Sequence, residues 1–155
     1  MDPFLERRLT ELKTAREKAK SGGGREKIYK LHAEGRLFAR ERIDLLLDPG
    51  SFYELNPLIG HYTGTPGDGI ITGSGTIEGR QVFVYSQDRT VQGGSIGLEH
   101  GVKMYECIER ALEMRVPLIG LNDSPGARAG GLGGSTESGP LSIRSFSSFS
   151  PTTKI

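Results

Sequence analysis

Over the first twenty residues apolar positions recur at Leu5, Leu9, Leu12, Ala15 and Ala19, the spacing of one helix face. Asp2 before Pro3 offers a capping carboxylate and a ring already set to helical φ, so a helix starts there, and Ser21-Gly22-Gly23-Gly24 ends it. A second short helix is expected from Arg25 to Glu34, closed by Gly35, and a third from about Ala39 to Leu47, stopped by Asp48-Pro49-Gly50. From Ile70 the pattern shortens to Thr, Ile, Ser and Gly. The turn Glu78-Gly79-Arg80 and the run Val82-Phe83-Val84-Tyr85 then read as a hairpin entering a buried strand. Residues 87–95 form a Gly-containing loop, and Ser95 is the expected cap of a helix reaching about Met114, with Gly101, Met104, Ile108, Ala111 and Leu112 along one stripe. His100 and Lys103 are expected on the surface of that helix. Pro117 to Leu121 is the next strand, an apolar run too short for a helix.

Strand, loop, helix and strand within some forty residues make a βαβ crossover, so the two strands are parallel neighbours. The loops after them, Gln87 to Ser95 and Asn122 to Gly134, must then leave the same carboxyl edge of the sheet, where ligands of such sheets bind. Both loops are rich in Gly, which permits close backbone approach and exposes amides to an oxyanion. The simpler alternative for each glycine is a tight turn. After Glu137 no acidic side chain and no trustworthy periodicity follow, and residues 140–155 read as an irregular tail.

Composition narrows this picture. A chain of 155 residues suits one domain, or a piece of one. Gly supplies 23 positions, about twice the usual share, but without the three-residue period of collagen. A hydrophobic fraction of 35% and a mean hydropathy of −0.36 leave no run that reads as a membrane span or a cleavable signal. The lone Cys107 excludes an intrachain disulfide framework, points to a reducing compartment, and falls with Met104 on the helix stripe as core. His32, His61 and His100 are too dispersed to resemble a metal site. Residues 1–42 carry twelve Lys/Arg against seven Asp/Glu, whereas the remainder carries eight against twelve. This asymmetry favours an anionic partner near the amino terminus, with a solvated helix face as the alternative, particularly for Arg7, Arg8, Lys13 and Lys18. Nucleic acid is disfavoured because aromatics for base stacking are nearly absent there. Gly22 to Gly24 is no phosphate loop, since no strand precedes it and no Lys-Ser/Thr pair follows.

Three stretches carry a resemblance: Arg40-Glu-Arg-Ile-Asp-Leu-Leu-Leu-Asp-Pro-Gly-Ser-Phe52; Ser86-Gln-Asp-Arg-Thr-Val-Gln-Gly-Gly-Ser95 with His100 and Lys103 following; and Leu121-Asn-Asp-Ser-Pro-Gly-Ala-Arg128. In this order and spacing, over about residues 5–137, the chain resembles the carboxyltransferase (beta) subunits of biotin-dependent acyl-CoA carboxylases. It resembles propionyl-CoA carboxylase beta chains in particular, and biotin-dependent acyl-CoA decarboxylases as well. The resemblance implies an α/β, crotonase-like fold of ββα units, here partial and preceded by amino-terminal helices. It also implies transfer of a carboxyl group between carboxybiotin and the α-carbon of a short acyl-CoA, without a metal. Such an enzyme is a transferase, or a ligase when the whole carboxylase is counted.

The implied chemistry is electrostatic. Removing a proton beside a thioester makes an enolate, whose oxygen needs preorganised donors, each worth roughly 3 to 4 kcal/mol. The family base is the biotin nitrogen exposed as the carboxyl leaves, so no His or carboxylate dyad is required. Residue by residue, the amides of Gly93 and Gly94 match one Gly-Gly-Ser element, and those of Gly126 and Ala127 match a Gly-Gly-Ala-Arg element. Pro125 departs from the family's Gly and has no amide hydrogen, so donation falls on Gly126 or Ala127. Arg36, Arg40 and Arg42 resemble the segment closing over the CoA nucleotide and are assigned to its phosphates. Arg128 is assigned either to a CoA phosphate or to a carboxylate such as Asp123.

The implied organisation is an amino-terminal helical segment at 1–48, a partial carboxyltransferase domain at 49–139 and the tail at 140–155. Family chains are much longer and pair two related halves across subunits, so the expectation is a fragment of doubtful isolated turnover, with exposed strand edges around Val82 to Tyr85 and Leu118 to Leu121. The expected partners are acyl-CoA, a biotin carboxylase or biotin carrier subunit bearing the biotin, and further copies of the chain. Neither nucleic acid nor membrane is expected, and the implied location is the cytoplasm, or the mitochondrial matrix in a eukaryote. The alternatives are a noncatalytic interaction module, with its glycines as turns, and a subunit of a biotin-dependent acyl-CoA decarboxylase.

Overall fold

The computed structural model describes residues 2–61 and 64–128, so the expected tail lies outside the described residues. The three amino-terminal helices form as the pattern predicts: α1 at Pro3–Lys20, α2 at Arg25–Ala33 and α3 at Ala39–Leu46. Asp2 accepts the Phe4 amide at 3.0 Å, satisfying one of the orphan donors of the first turn. Glu41 reaches back to the Phe38 amide at 2.7 Å and does the same for α3. It also accepts from His32 Nε2 at 2.8 Å, and that bond is the main reason its carboxyl is held below the usual range.

Four strands make one sheet: β1 at Tyr53–Leu55, β2 at Ile70–Ile77, β3 at Arg80–Gln87 and β4 at Leu118–Leu121. Their order is β1-β2-β3-β4, antiparallel across the first two junctions and parallel across the third. The helix α4, Leu98–Met114, carries the chain from β3 to β4. The βαβ unit is therefore present. β1 was not expected, because three residues are too few to display an alternation. The β2–β3 turn has positive φ at both Glu78 and Gly79, the backbone twist that a two-residue hairpin needs. Asp48, the helix stop after α3, accepts both turn amides at 2.9 Å and the Thr76 hydroxyl at 2.5 Å. Those bonds, led by the Thr76 hydroxyl, lower its pKa.

The period-two alternation of β3 divides the core into two layers. Val82 and Val84 pack with Leu31, Phe38, Ile43 and Leu47 of the amino-terminal helices, while Phe83 packs with Cys107 and Ala111 of α4. Glycines in β2 open the first layer: a Cβ at Gly75 would lie 2.6 Å from Leu47 Cδ1, and one at Gly73 would lie 2.4 Å from the Phe52 ring. The Gly22–Gly24 elbow packs onto the loop after β3, with Gly23 N donating to Thr90 Oγ1 at 2.8 Å and Lys27 Nζ to Thr90 O at 3.2 Å.

Several expectations are corrected. The α4 cap is Gly97, not Ser95, and the buried face is His100, Gly101, Lys103, Cys107 and Ala111, whereas Leu112 is exposed. Two polar side chains turn inward because the turn before β2 presents them with backbone carbonyls, a partner that hydropathy along the helix cannot reveal. Val82 to Tyr85 is no edge: β3 pairs on both sides, and among the described residues the edge strands are β1 and β4. On α1 only Ala15 is buried, and Phe4, Leu5 and Leu9 remain exposed. Among the described residues no helix is long and apolar enough to cross a membrane.

Two outcomes follow from this packing. A Cβ at Gly23 would sit 1.9 Å from the Thr90 carbonyl oxygen, so Gly23→Ala is expected to destabilise the chain by about 2 kcal/mol, read as a lowered midpoint in urea. Cys107 is fully buried, and burial pushes its thiol up to about 11. Aromatic disulfide reagents are expected to label it only as fast as the chain unfolds, and rapid stoichiometric labelling of native protein would contradict this burial.

Candidate functional site

Because β3 and β4 are parallel, the loops that follow them, residues 88–97 and 122–128, leave the same edge of the sheet. They join there through a parallel bridge between Ile96 and Ala127: Ile96 N donates to Gly126 O and Arg128 N to Ile96 O, each at 2.9 Å. A Cβ at Gly94 would lie 2.5 Å from the Asp123 carbonyl oxygen, so only glycine lets the two loops approach this closely. The four amides singled out in the sequence are thus brought to one edge. They are not equivalent. Gly94 is buried and donates to Val91 O at 2.9 Å, and Gly126 donates to Ser124 Oγ at 3.1 Å. Gly93 and Ala127 are exposed, and their amides have no hydrogen-bond partner among the described residues.

The four arginines divide as sharply. Arg40 forms a bidentate pair with Glu54 of β1, at 2.7 and 2.9 Å, and both side chains are largely buried. Arg42 donates to Gln87 O at 2.5 Å and to Leu121 O at 3.5 Å, tying the carboxyl ends of β3 and β4 together. Burial is the main cause that lowers its pKa. Arg128 meets the carboxylate of Asp68 at 2.7 Å, not that of Asp123, and also bonds Ser95 through its hydroxyl and carbonyl oxygens. Arg36, 36% exposed against 19% for Arg40 and 23% for Arg128, reaches Asp123 at 2.6 Å. Arg89, 51% exposed, approaches the same Asp123 oxygen at 3.4 Å. Two accessible guanidiniums therefore flank one carboxylate beside the paired loops.

Behind the edge lies a buried polar layer. Asp68, between Gly67 and Gly69 and itself at φ +44, is 2% exposed. Its carboxylate also accepts the His100 amide at 3.0 Å, which caps α4 from outside the helix, and its carbonyl lies 3.0 Å from His100 Nδ1. His100 Nε2 is 3.2 Å from Gln87 Nε2, and Gln87 Oε1 accepts the Asp123 amide at 2.9 Å. Lys103 donates to Ile70 O at 2.6 Å and, at 3.5 Å, to Gly67 O. Desolvation lowers His100 to about 4 and Lys103 to about 8. Sequence reasoning missed Asp68, Gln87 and Asp123 as site residues and left His100 and Lys103 on the surface. The local signal was the Gly67-Asp68-Gly69 turn, which marks a tight bend but not the partners that it meets.

A family model described as "Carboxyl transferase domain" matches residues 30–144. The propionyl-CoA carboxylase carboxyltransferase subunit of Haloferax mediterranei is 45% identical over 132 residues, covering 80% of this chain and 26% of that protein. Methylmalonyl-CoA decarboxylase subunit alpha of Veillonella parvula is 43% identical over 119 residues, covering 72% and 23%. Among solved structures, the transcarboxylase 12S hexamer with methylmalonyl-coenzyme A bound is 41% identical, with a TM-score of 0.72, over 78% of this chain and 25% of that one. The chain spans about a quarter of the length of these relatives. The crotonase-like ββα order implied by the resemblance is the order of β2, β3 and α4. With well over half of its residues inside the matched domain, the chain belongs to the carboxyl transferase domain family.

Proposed function

We propose that the chain is the acyl-CoA-facing part of a biotin-dependent acyl-CoA carboxyltransferase. The observation that carries this reading is the pair of amides at the exposed residues Gly93 and Ala127, without a hydrogen-bond partner among the described residues, on two loops locked side by side at the carboxyl edge. Such amides suit the thioester oxygen, which gains negative charge as the α-carbon loses its proton. They need no reorganisation at that moment, because the Ile96–Ala127 bridge and the Gly94–Asp123 contact already fix the loops. Carboxybiotin, brought on a separate carrier, supplies the carboxyl group and, once that has left, a basic nitrogen. The same enolate serves carboxylation and decarboxylation, so likeness to both kinds of relative is coherent. Gly94 and Gly126 act as the turns that present their neighbours.

Arg36 and Arg89 are the accessible guanidiniums beside the paired loops that would meet CoA phosphates, while Arg40, Arg42 and Arg128 hold the scaffold that carries the amides. The partners of this reading are acyl-CoA, a biotin-bearing subunit and further copies of the chain. Transcarboxylase 12S, which assembles as a hexamer in a multienzyme core, supports it.

Calorimetry of the chain with propionyl-CoA is expected to give saturable heat, and no heat on well-folded protein with acetyl-, propionyl- and methylmalonyl-CoA would leave the interaction module. Arg36→Gln is expected to weaken CoA binding and flatten its salt dependence. Arg40→Gln leaves the Glu54 carboxylate buried without its partner and is expected to lower stability by about 3 kcal/mol instead. In a full-length carboxyltransferase carrying this segment, Ala127→Pro removes one unpartnered donor and is expected to reduce turnover by two to three orders of magnitude. Gly126→Pro is the wrong probe, because φ at Gly126 is +113 and proline would break the loop.

A further inference from the structure

The polar chain from Asp68 to Asp123 ends on two backbone groups of fixed polarity, and these determine every proton between them. At one end the Asp123 amide can only donate, so the atom of Gln87 that faces it, at 2.9 Å, is Oε1. The other arm of the Gln87 amide is then its NH2, which donates toward His100 Nε2 at 3.2 Å, so that nitrogen carries a lone pair. At the far end the Asp68 carbonyl can only accept, and His100 Nδ1, 3.0 Å away, must hold the ring proton. Each link has one allowed direction. A second proton on the ring sets N–H against N–H at Gln87, and turning the Gln87 amide to relieve that sets its NH2 against the Asp123 amide.

We propose that Gln87 is a positioning residue for the Asp123–Ala127 loop, held in one amide orientation by a neutral His100. The assignment of that loop to the thioester oxygen rests on the functional reading above. Asp68 pins both ends of this loop: directly through Arg128 at 2.7 Å, and through His100 and Gln87 at the Asp123 amide. The candidate donor at Ala127 lies between these two anchors. The ring is fully buried, and the charged groups facing it are Asp68 from the turn before β2, Lys103 from α4 itself and Arg128 from the loop after β4. Desolvation outweighs the Asp68 carboxylate, and with Arg128 and Lys103 also opposing a ring charge, the ring stays neutral down to about pH 4. The sign is that of a depressed base: between pH 6.5 and 4 the unfolded chain takes up a proton that the folded chain refuses, so stability declines as pH falls through that window.

Nitrogen-15 NMR of the labelled chain tests the proposal, because a merely space-filling glutamine does not fix a tautomer. The expected result at pH 7 is a His100 ring protonated on Nδ1 and bare on Nε2; the opposite tautomer, or an imidazolium, overturns the proposal. In Gln87→Glu the side chain still accepts from Asp123 but can no longer donate to the ring. The apparent pKa of His100 is then expected to rise by at least two units, and an unchanged value overturns the proposal. In Gln87→Leu hydrogen exchange at the Asp123 amide is expected to quicken at least tenfold while Val84 in β3 keeps its protection, and unchanged exchange overturns it. Should either variant fail to fold, acid titration of the unaltered chain decides: the Asp123 amide resonance must move with the His100 inflection, and independent titration overturns the proposal. Acyl-CoA calorimetry on the same samples separates the two readings. A confirmed relay without acyl-CoA heat removes the ligand assignment alone, and acyl-CoA heat with the wrong tautomer removes the relay alone.

Discussion

A carboxylate removed from water must have its charge met by donors, and the fold of this chain is arranged around one such group, Asp68. At 2% exposure it gathers the guanidinium of Arg128 and the His100 amide, in the first turn of α4, on its two carboxylate oxygens, while its carbonyl takes the His100 ring. These contacts tie three separate pieces together: the turn entering β2, the start of the crossover helix and the loop leaving β4. Burying the charge is costly in isolation, and the short, directional bonds of Arg128 and the helix amide are what make the site tenable. The left-handed φ of Asp68 belongs to the same arrangement, since it turns both the carboxylate and the carbonyl toward α4.

The second organising device is the arginine clasp at the sheet edge. Arg42 holds the last carbonyls of β3 and β4, which are the points where the two glycine-rich loops depart. Arg40 locks α3 to β1 through Glu54. Arg36 and Arg89 converge on Asp123, and Arg36 brings the helical segment onto the loop that carries Ala127. Among the described residues, the excess of positive charge in residues 1–42 and of negative charge beyond it is thus met internally only at this clasp. Two ion pairs there, Arg36–Asp123 and Arg40–Glu54, cross between the parts, whereas the Lys and Arg side chains of α1 and α2 stay exposed and ion-pair, where they do, within their own helix.

Legibility in the sequence followed distance along the chain. Elements defined within a few residues were readable: the Asp2-Pro3 start of α1, the Gly35 end of α2, the positive-φ hairpin at Glu78-Gly79 and the βαβ crossover that sets both loops on one edge. The four candidate amides were readable too, as positions. Their division into committed and unpartnered donors was not, since it depends on Ser124, Val91 and the Ile96–Ala127 bridge. The expected α4 stripe shares Gly101, Cys107 and Ala111 with the buried face but omits His100 and Lys103, because hydropathy scores both as surface residues, whereas backbone carbonyls of the Asp68 turn and of Ile70 draw them inward.

By itself the sequence determined where the first three helices start and stop, where the hairpin turns, that the two strands run parallel, and which glycine-rich loops must share an edge. These follow from caps, turn conformations and side-chain periods, which are local physics. Only the tertiary structure decided which charges are tied and which are open. Arg128 and Asp68 are 60 residues apart and Arg36 and Asp123 are 87 apart. An arginine's local neighbours are the same whether it faces solvent, a carboxylate or a ligand, so its partner is chosen by the packing of the layers, and no window along the chain records that choice.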